Sequence, residues 1–267
     1  MKPTFQIFLE AIKRILSPNN KIFEFDFRKD HFEYIPNGKV KITELDGSIY
    51  EGSFRGGYYS GKGILKYANG DTYQGDFLEG IRSGKGKLTW KNGNLYEGDW
   101  VDDIMHGYGK LIVGKDTYQG NFVEGMRTGK GKLTLICGDI YEGEFLDDLK
   151  EGKGKLSLIG GEIYEGDFKN DLKEGKGKLK LHGGDEYYGE WHDDKMNGNG
   201  KYTFGNGDMY DGEWHDGIMD GEGKYTSANG DTYEGGWVLG KQMGFGKQTL
   251  KNGNVFVGHF LDGQLIS

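Results

Sequence analysis

Asp71-Thr72-Tyr73-Gln74-Gly75-Asp76-Phe77-Leu78-Glu79-Gly80-Ile81-Arg82-Ser83-Gly84-Lys85-Gly86-Lys87-Leu88-Thr89-Trp90-Lys91-Asn92-Gly93 is one copy of a unit that the chain repeats. Its Tyr-x-Gly anchor returns at Tyr50, Tyr73, Tyr96, Tyr118, Tyr141, Tyr164, Tyr187, Tyr210 and Tyr233, and as Phe-x-Gly at Phe256. The period is 23 residues, with one slip to 22. A fixed period of this size is the signature of stacked supersecondary units, none able to bury its apolar face alone.

Each unit divides into two strands. With the anchor Tyr at position zero, positions zero, two and four are Tyr, Gly and an aromatic ring. That last column, from Phe54 through Trp100, Trp191, Trp214 and Trp237 to Phe260, is aromatic in all ten units. Alternation places these residues on one face and Glu51, Gln74, Glu97, Gln119, Glu142, Glu165 and Asp211 on the other. The second strand is read from the Gly-x-Gly pairs, such as Gly84/Gly86, to a leucine or tyrosine, with its lysines on the charged face.

Turn chemistry sets the pairing. A three-residue loop, Lys91-Asn92-Gly93, with Gly left-handed in a bulge, brings Leu88 opposite Tyr96, Lys87 opposite Glu97 and Gly86 opposite Gly98. In the 22-residue unit, Val113-Gly114-Lys115-Asp116 shortens this to a two-residue turn with Gly first, which keeps Leu111 opposite Tyr118. The other connection reads as a longer loop. Its seventh position is always Gly or Asp, from Gly57 and Asp103 to Gly263, so a positive φ is expected there.

The expected fold is all-β: a single-layer antiparallel meander of tandem hairpins, elongated by about 4.8 Å per strand. Before it, residues 1–20 carry Phe5, Phe8, Leu9, Ile12, Ile15 and Leu16 at helical spacing, which predicts a short amphipathic helix acting as cap, membrane anchor or import signal. Residues 21–49 read as strands of a worn first unit, with Phe27, Gly38 and Ile42 in the positions of Tyr, Gly and Leu. Residues 50–267 are the array, its tenth unit incomplete.

Tyr-x-Gly-x-aromatic followed by Gly-x-Gly eleven residues after the Tyr resembles the MORN (membrane occupation and recognition nexus) repeat, over about residues 50 to 263. The resemblance implies a hairpin sheet and a role in binding proteins or acidic phospholipids. It is also compatible with a regulatory subunit whose activity would belong to a partner enzyme. Family members that self-associate through terminal repeats suggest a homodimer through the edge at Val255, Phe256 and Phe260.

The totals exclude other classes. A net charge of −8 argues against nucleic acid, whose binding rests on neutralising phosphates. One cysteine, Cys137, supplies neither a bridge nor a zinc site, which favours the cytoplasm. No catalytic residues, metal or cofactor are expected. The six histidines occupy different positions of the unit, except His192 and His215, and Asp102-Asp103, Asp147-Asp148 and Asp193-Asp194 lack the ligand alternation of a calcium loop.

Two surfaces remain as candidates. A single-layer sheet leaves its aromatic face uncovered, so Tyr187, Trp191, Tyr210, Trp214, Tyr233 and Trp237 are expected to line a groove for a protein partner, within a cytoskeletal, ciliary or other large assembly. The alternative is a basic stripe for acidic phospholipid at Lys87, Lys110, Lys132, Lys155 and Lys178. That stripe faces acidic residues across the strands, which cancels much of its field.

Overall fold

The structure is a computed structural model that describes residues 22–29, 35 and 37–267. The helix expected within residues 4–16 lies outside the described residues, as does His31. Among the described residues there is no helix. The chain divides into two units, Met1–Arg127 and Thr128–Ser267.

The first unit holds β1 (Ile22–Asp26), β2 (Gly38–Thr43), β3 (Ile49–Arg55), β4 (Tyr58–Lys66), β5 (Thr72–Leu78), β6 (Ile81–Thr89), β7 (Leu95–Val101), β8 (Ile104–Val113) and β9 (Asp116–Val123). From β2 to β9 each strand pairs antiparallel with the next, in one open sheet. The register is the one that turn chemistry requires: Gly86 faces Gly98, Lys87 faces Glu97 and Leu88 faces Tyr96. Gly93 closes its turn at φ +89°, donating its N–H to the Trp90 carbonyl at 2.9 Å. In the short unit Gly114 takes φ +62° and Leu111 stays opposite Tyr118.

The second unit repeats the pattern. After β10 (Met126–Thr134), which begins at the boundary, come β11 (Ile140–Leu146), β12 (Leu149–Ser157), β13 (Ile163–Lys169), β14 (Leu172–Lys180), β15 (Glu186–His192) and β16 (Lys195–Thr203). The unit closes with β17 (Met209–His215), β18 (Ile218–Thr226), β19 (Thr232–Val238), β20 (Lys241–Thr249), β21 (Val255–Leu261) and β22 (Gln264–Leu265). Consecutive strands again pair antiparallel.

Three expectations are corrected. The connection read as a long loop is a two-residue turn, and the second strand starts three residues before its Gly-x-Gly: β5 ends at Leu78, β6 begins at Ile81. Both turn residues have positive φ, as at Asp102 (+48°) and Asp103 (+66°), the requirement of a type I′ hairpin whose twist matches that of the strands. The extra residues are absorbed as a bulge after the anchor's glycine, between Gly75 and Phe77.

The start of the array differs as well. β1 pairs parallel with β2, Phe25 beside Ile42, so this segment does not form the antiparallel hairpin of the intact units; Gly38 and Ile42 do take their expected places opposite Phe54 and Tyr50. At the other end β21 is not left wholly unpaired. Gln264 and Leu265 return against Leu261 and Phe260, and His259 exchanges hydrogen bonds with Ile266 and Ser267 at 2.8 Å.

Packing explains the recurring residue types. Each anchor tyrosine lies flat across two glycines, one in its own strand and one in the next: a Cβ at Gly52 or Gly63 would strike the Tyr50 ring. Its edge then meets the aromatic ring of its own unit and that of the following one, with centroids 5.0–5.5 Å apart at 77–89°. Edge-to-face pairs of this kind contribute about 0.5–1.5 kcal/mol each beyond their buried area. In both units the core is therefore a row of rings on one face of the sheet.

Candidate functional site

The nine anchor tyrosines are almost completely buried, with 0–2% of their surface exposed. Each hydroxyl donates to the backbone carbonyl three residues on, at 2.6–3.1 Å, as Tyr187 does to Glu190. That carbonyl lies at the bulge, where the regular strand pairing is interrupted, so the hydroxyl serves a group that the bulge displaces. Burial pushes Tyr50 and Tyr210 up to about 12, and raises Tyr187 further still.

The tryptophans expected to face a partner are likewise buried, and this corrects the open groove. Trp191, Trp214 and Trp237 are 5–6% exposed, and each indole N–H donates to the carbonyl of a glycine in the preceding strand at 3.0–3.2 Å. With Tyr187, Tyr210 and Tyr233 also buried, none of the six offers a ring to solvent.

What covers them is a column that sequence reading passed over. The second residue of each second strand sits directly opposite the ring of its unit: Tyr59 on Phe54, Arg82 on Phe77, Met105 on Trp100, Lys150 on Phe145, Lys173 on Phe168, Met196 on Trp191, Met219 on Trp214 and Gln242 on Trp237. The basic ones reach over the anchor tyrosine of their own repeat and the ring of the next: Arg82 over Tyr73 and Trp100, Lys150 over Tyr141 and Phe168, Lys173 over Tyr164 and Trp191. The signal was present as a fixed spacing of five residues from the aromatic, but the residue types vary and alternation alone gives them no role.

The covers are of two kinds. Arg82 holds its guanidinium 4.4 Å from the Trp100 ring centre, and Lys173 its ammonium 5.1 Å from that of Trp191. Each is held by an aspartate in the next turn: Arg82 Nε donates to Asp103 at 2.8 Å, while Lys150 and Lys173 lie 3.8 and 3.9 Å from Asp171 and Asp194. Where the cover is Tyr59, Met105, Met196, Met219 or Gln242, the corresponding turn residue is glycine: Gly80, Gly125, Gly217, Gly240 or Gly263. The choice between Gly and Asp at this turn is therefore set by the charge of the cover, beyond the φ that both tolerate.

A second unforeseen column ties successive repeats together. Two residues before the anchor, Asp71, Asp139, Asp185, Asp208 and Asp231 accept the backbone N–H of the next unit's loop at 2.6–2.9 Å. Ser48 and Asn94 do the same. The Tyr202 and Tyr225 hydroxyls also donate to Asp185 and Asp208, and these bonds hold both carboxyls below the usual range.

The opposite face is charged. In the first unit it forms a trough of about 1300 Å³ lined by Lys39, Glu51, Lys62, Lys85, Lys87, Glu97 and Lys110, with Ile64 and Tyr108 among them. Asp76 and Asp99 neutralise Lys62 and Lys85 at 2.8 and 2.6 Å. In the second unit Lys132 pairs with Glu142 at 2.5 Å and Lys178 with Glu186 at 2.8 Å, while Lys155 lies opposite Glu142 and Glu165. At the far edge Val255 and Phe256 are 51% and 40% exposed, whereas Phe260 is buried under Tyr233.

Among the described residues, one cluster of metal-ligand types occurs, Glu174, His192 and Asp193. The two carboxylates approach different ring nitrogens, Glu174 at Nδ1 (3.2 Å) and Asp193 at Nε2 (3.8 Å), so they do not converge on one donor atom. Glu174 raises the imidazole's pKa and also accepts the Asp193 N–H. His192, exposed at the end of β15, thus has a carboxylate partner. Cys137 is exposed. No helix of the described residues is long and apolar enough to cross a membrane.

Comparison with known proteins gives one family. The MORN-repeat model matches nine successive stretches, from 50–72 and 73–95 through 210–232 and 233–255. No curated protein matches. Among solved structures the chain is similar to the TCP10 domain of Danio rerio CPAP, solved in complex with a peptide of Danio rerio STIL, at 11% identity and a TM-score of 0.42, covering 82% of this chain and 97% of that one. It is also similar to the SAS-4 (dCPAP) TCP domain of Drosophila melanogaster, solved with a proline-rich motif of Ana2, at 12% identity and TM-score 0.24, covering 86% and 98%. Virginiamycin B lyase from Staphylococcus aureus follows at 10% identity and TM-score 0.14, covering 84% of each chain.

Proposed function

The chain is a member of the MORN-repeat family, and on that premise we propose that it is a non-enzymatic scaffold that binds protein partners on the exposed faces of its sheets. The observation that carries this reading is the commitment of the recurring side chains. Anchor hydroxyls, indole N–H groups and the aspartates two residues before five of the anchors are bonded within the array. What the units present outward is a broad, regularly spaced set of side chains on a stiff frame, suited to multivalent docking.

The burial of Trp191, Trp214 and Trp237 moves the contact surface from the rings to the side chains lying over them, or to the charged face. We place this activity in the cytoplasm, within a cytoskeletal or other large assembly, as the family resemblance suggests. Acidic phospholipid is less favoured, because Lys132 and Lys178 are paired with carboxylates.

Affinity capture with the full chain from its native source, followed by cross-linking of the purified complex, tests the proposal. The expected result is a saturable, stoichiometric complex with cross-links on exposed lysines. A chain that remains alone in sedimentation and instead floats with acidic vesicles at physiological salt would replace it with the lipid reading.

A further inference from the structure

The repeats beginning at Tyr187 and Tyr210 differ from the cation-covered repeats in two columns at once. Where those repeats set Arg82, Lys150 and Lys173 over a ring, these carry Met196 and Met219. Where earlier units end the second strand in leucine, as at Leu156 and Leu179, these carry Tyr202 and Tyr225, with Phe204 just beyond. These two repeats lose a cation and gain rings.

The added rings form half-exposed clusters. Tyr202 lies 4.6 Å from Phe204 and 5.8 Å from Trp214, and Tyr225 lies 6.2 Å from Phe204 and 6.1 Å from Trp237, all at tilts of 38–56°. Two carboxylates adjoin them, Asp185 and Asp208, through the Tyr202 and Tyr225 hydroxyls. By strand alternation, Lys195, Lys201 and Lys224 all fall on the opposite face. Between Met196 and Trp237 this face therefore combines aromatic rings and carboxylates with no Lys or Arg of its own.

We propose that this surface of the second unit, around Tyr202, Phe204 and Tyr225, binds a cationic segment of a protein partner. The partner's arginine or lysine groups supply over these rings what Arg82, Lys150 and Lys173 supply within the chain. Rings attract such cations through their electron-rich faces, and Asp185 and Asp208 add ionic attraction. Met196 and Met219 give the floor of the site adaptable, polarisable side chains. The inference rests on the scaffold reading and names the class of partner.

The test uses the full chain and a short labelled peptide alternating arginine and leucine, with a glutamate–leucine peptide as control, followed by fluorescence anisotropy. The arginine peptide should bind saturably and the acidic one should not. Met196→Lys with Gly217→Asp, and Met219→Lys with Gly240→Asp, transplant the self-supplied cation and its aspartate. A Cβ fits at both glycines, and Asp171 and Asp194 already adopt the required positive φ. Each transplant should weaken the peptide by about tenfold, one cation–ring contact with its charge pair, with circular dichroism unchanged. Asp185→Asn with Asp208→Asn should also weaken it, and Lys85→Glu in the first unit should leave it unaltered.

Equal affinity for the two peptides, no saturable binding, or transplants that bind as wild type would each overturn the assignment. If a native partner is captured while the arginine peptide is ignored, this site falls and the scaffold reading stands.

Discussion

The repeats covered by cations and those covered by methionine share one backbone. Around Lys173 and around Met219 the anchor tyrosine is equally buried, its hydroxyl bonds the same carbonyl, and the ring geometry is the same. Only the lid differs. Lys173 is held by Asp194 in the following turn, whereas the turn residue that follows Met219 at the same spacing is Gly240, which has no side chain to hold it. The frame is thus separable from the surface it presents: glycines and rings decide stability, and the residue five places beyond the ring decides what a neighbour meets.

Changes to the common frame should have the largest effect and spare neither region. Anchor tyrosines in both have folded pKa values raised by burial, so the folded state keeps protons that the unfolded chain releases near its ordinary value of about 10. Stability should hold below about pH 10 and fall as pH rises towards 12 and beyond, in one cooperative loss visible by circular dichroism. Unfolding of the cation-covered repeats alone would show that the frame is not shared.

Next come the glycine gaps. Gly177→Ala beneath Tyr164 and Gly200→Ala beneath Tyr187 each drive a methyl into a ring, and each should cost about 3 kcal/mol or more in denaturant titrations, alike in both regions. Smaller again is removal of one hydroxyl. Tyr164→Phe and Tyr210→Phe should each cost about 1–2 kcal/mol, with lost hydrogen-exchange protection confined to the bulge they serve.

The smallest effect separates the regions. In a double-mutant cycle, Arg82→Ala and Asp103→Ala should couple by about 0.5–1 kcal/mol, since one carboxylate holds the guanidinium over its ring. Met219→Ala and Gly240→Ala should be additive, as only a backbone bond, common to both regions, joins them. Coupling in both pairs would mean that the lid acts through packing, whatever its charge.

Much of this was legible in the chain. Leu88 opposite Tyr96 and Leu111 opposite Tyr118 follow from turn length and alternation, both local properties that survive the loss of a residue at Gly114. The type I′ turn was less legible. The positive φ of its second residue could be read from Gly and Asp, but the first residue is Glu79, Glu124 or Leu239 in some repeats, types that do not announce a left-handed backbone. The pairing of Arg82 with Asp103 was also written in the sequence, as a spacing of 21 residues, and it becomes meaningful only once two successive turns are seen to stack.

The sequence by itself determined the period, the register across the Lys91-Asn92-Gly93 type of loop and the face on which each ring falls, because strand alternation and a turn of known length need no information from distant residues. The tertiary structure decided which of those rings remain accessible. Trp191, Trp214 and Trp237 share a face with Tyr202 and Phe204, yet the first three are buried and the latter two half-exposed. Burial depends on what the facing strand and the neighbouring repeat lay across a ring, and that is settled by the packing of long side chains over glycine gaps.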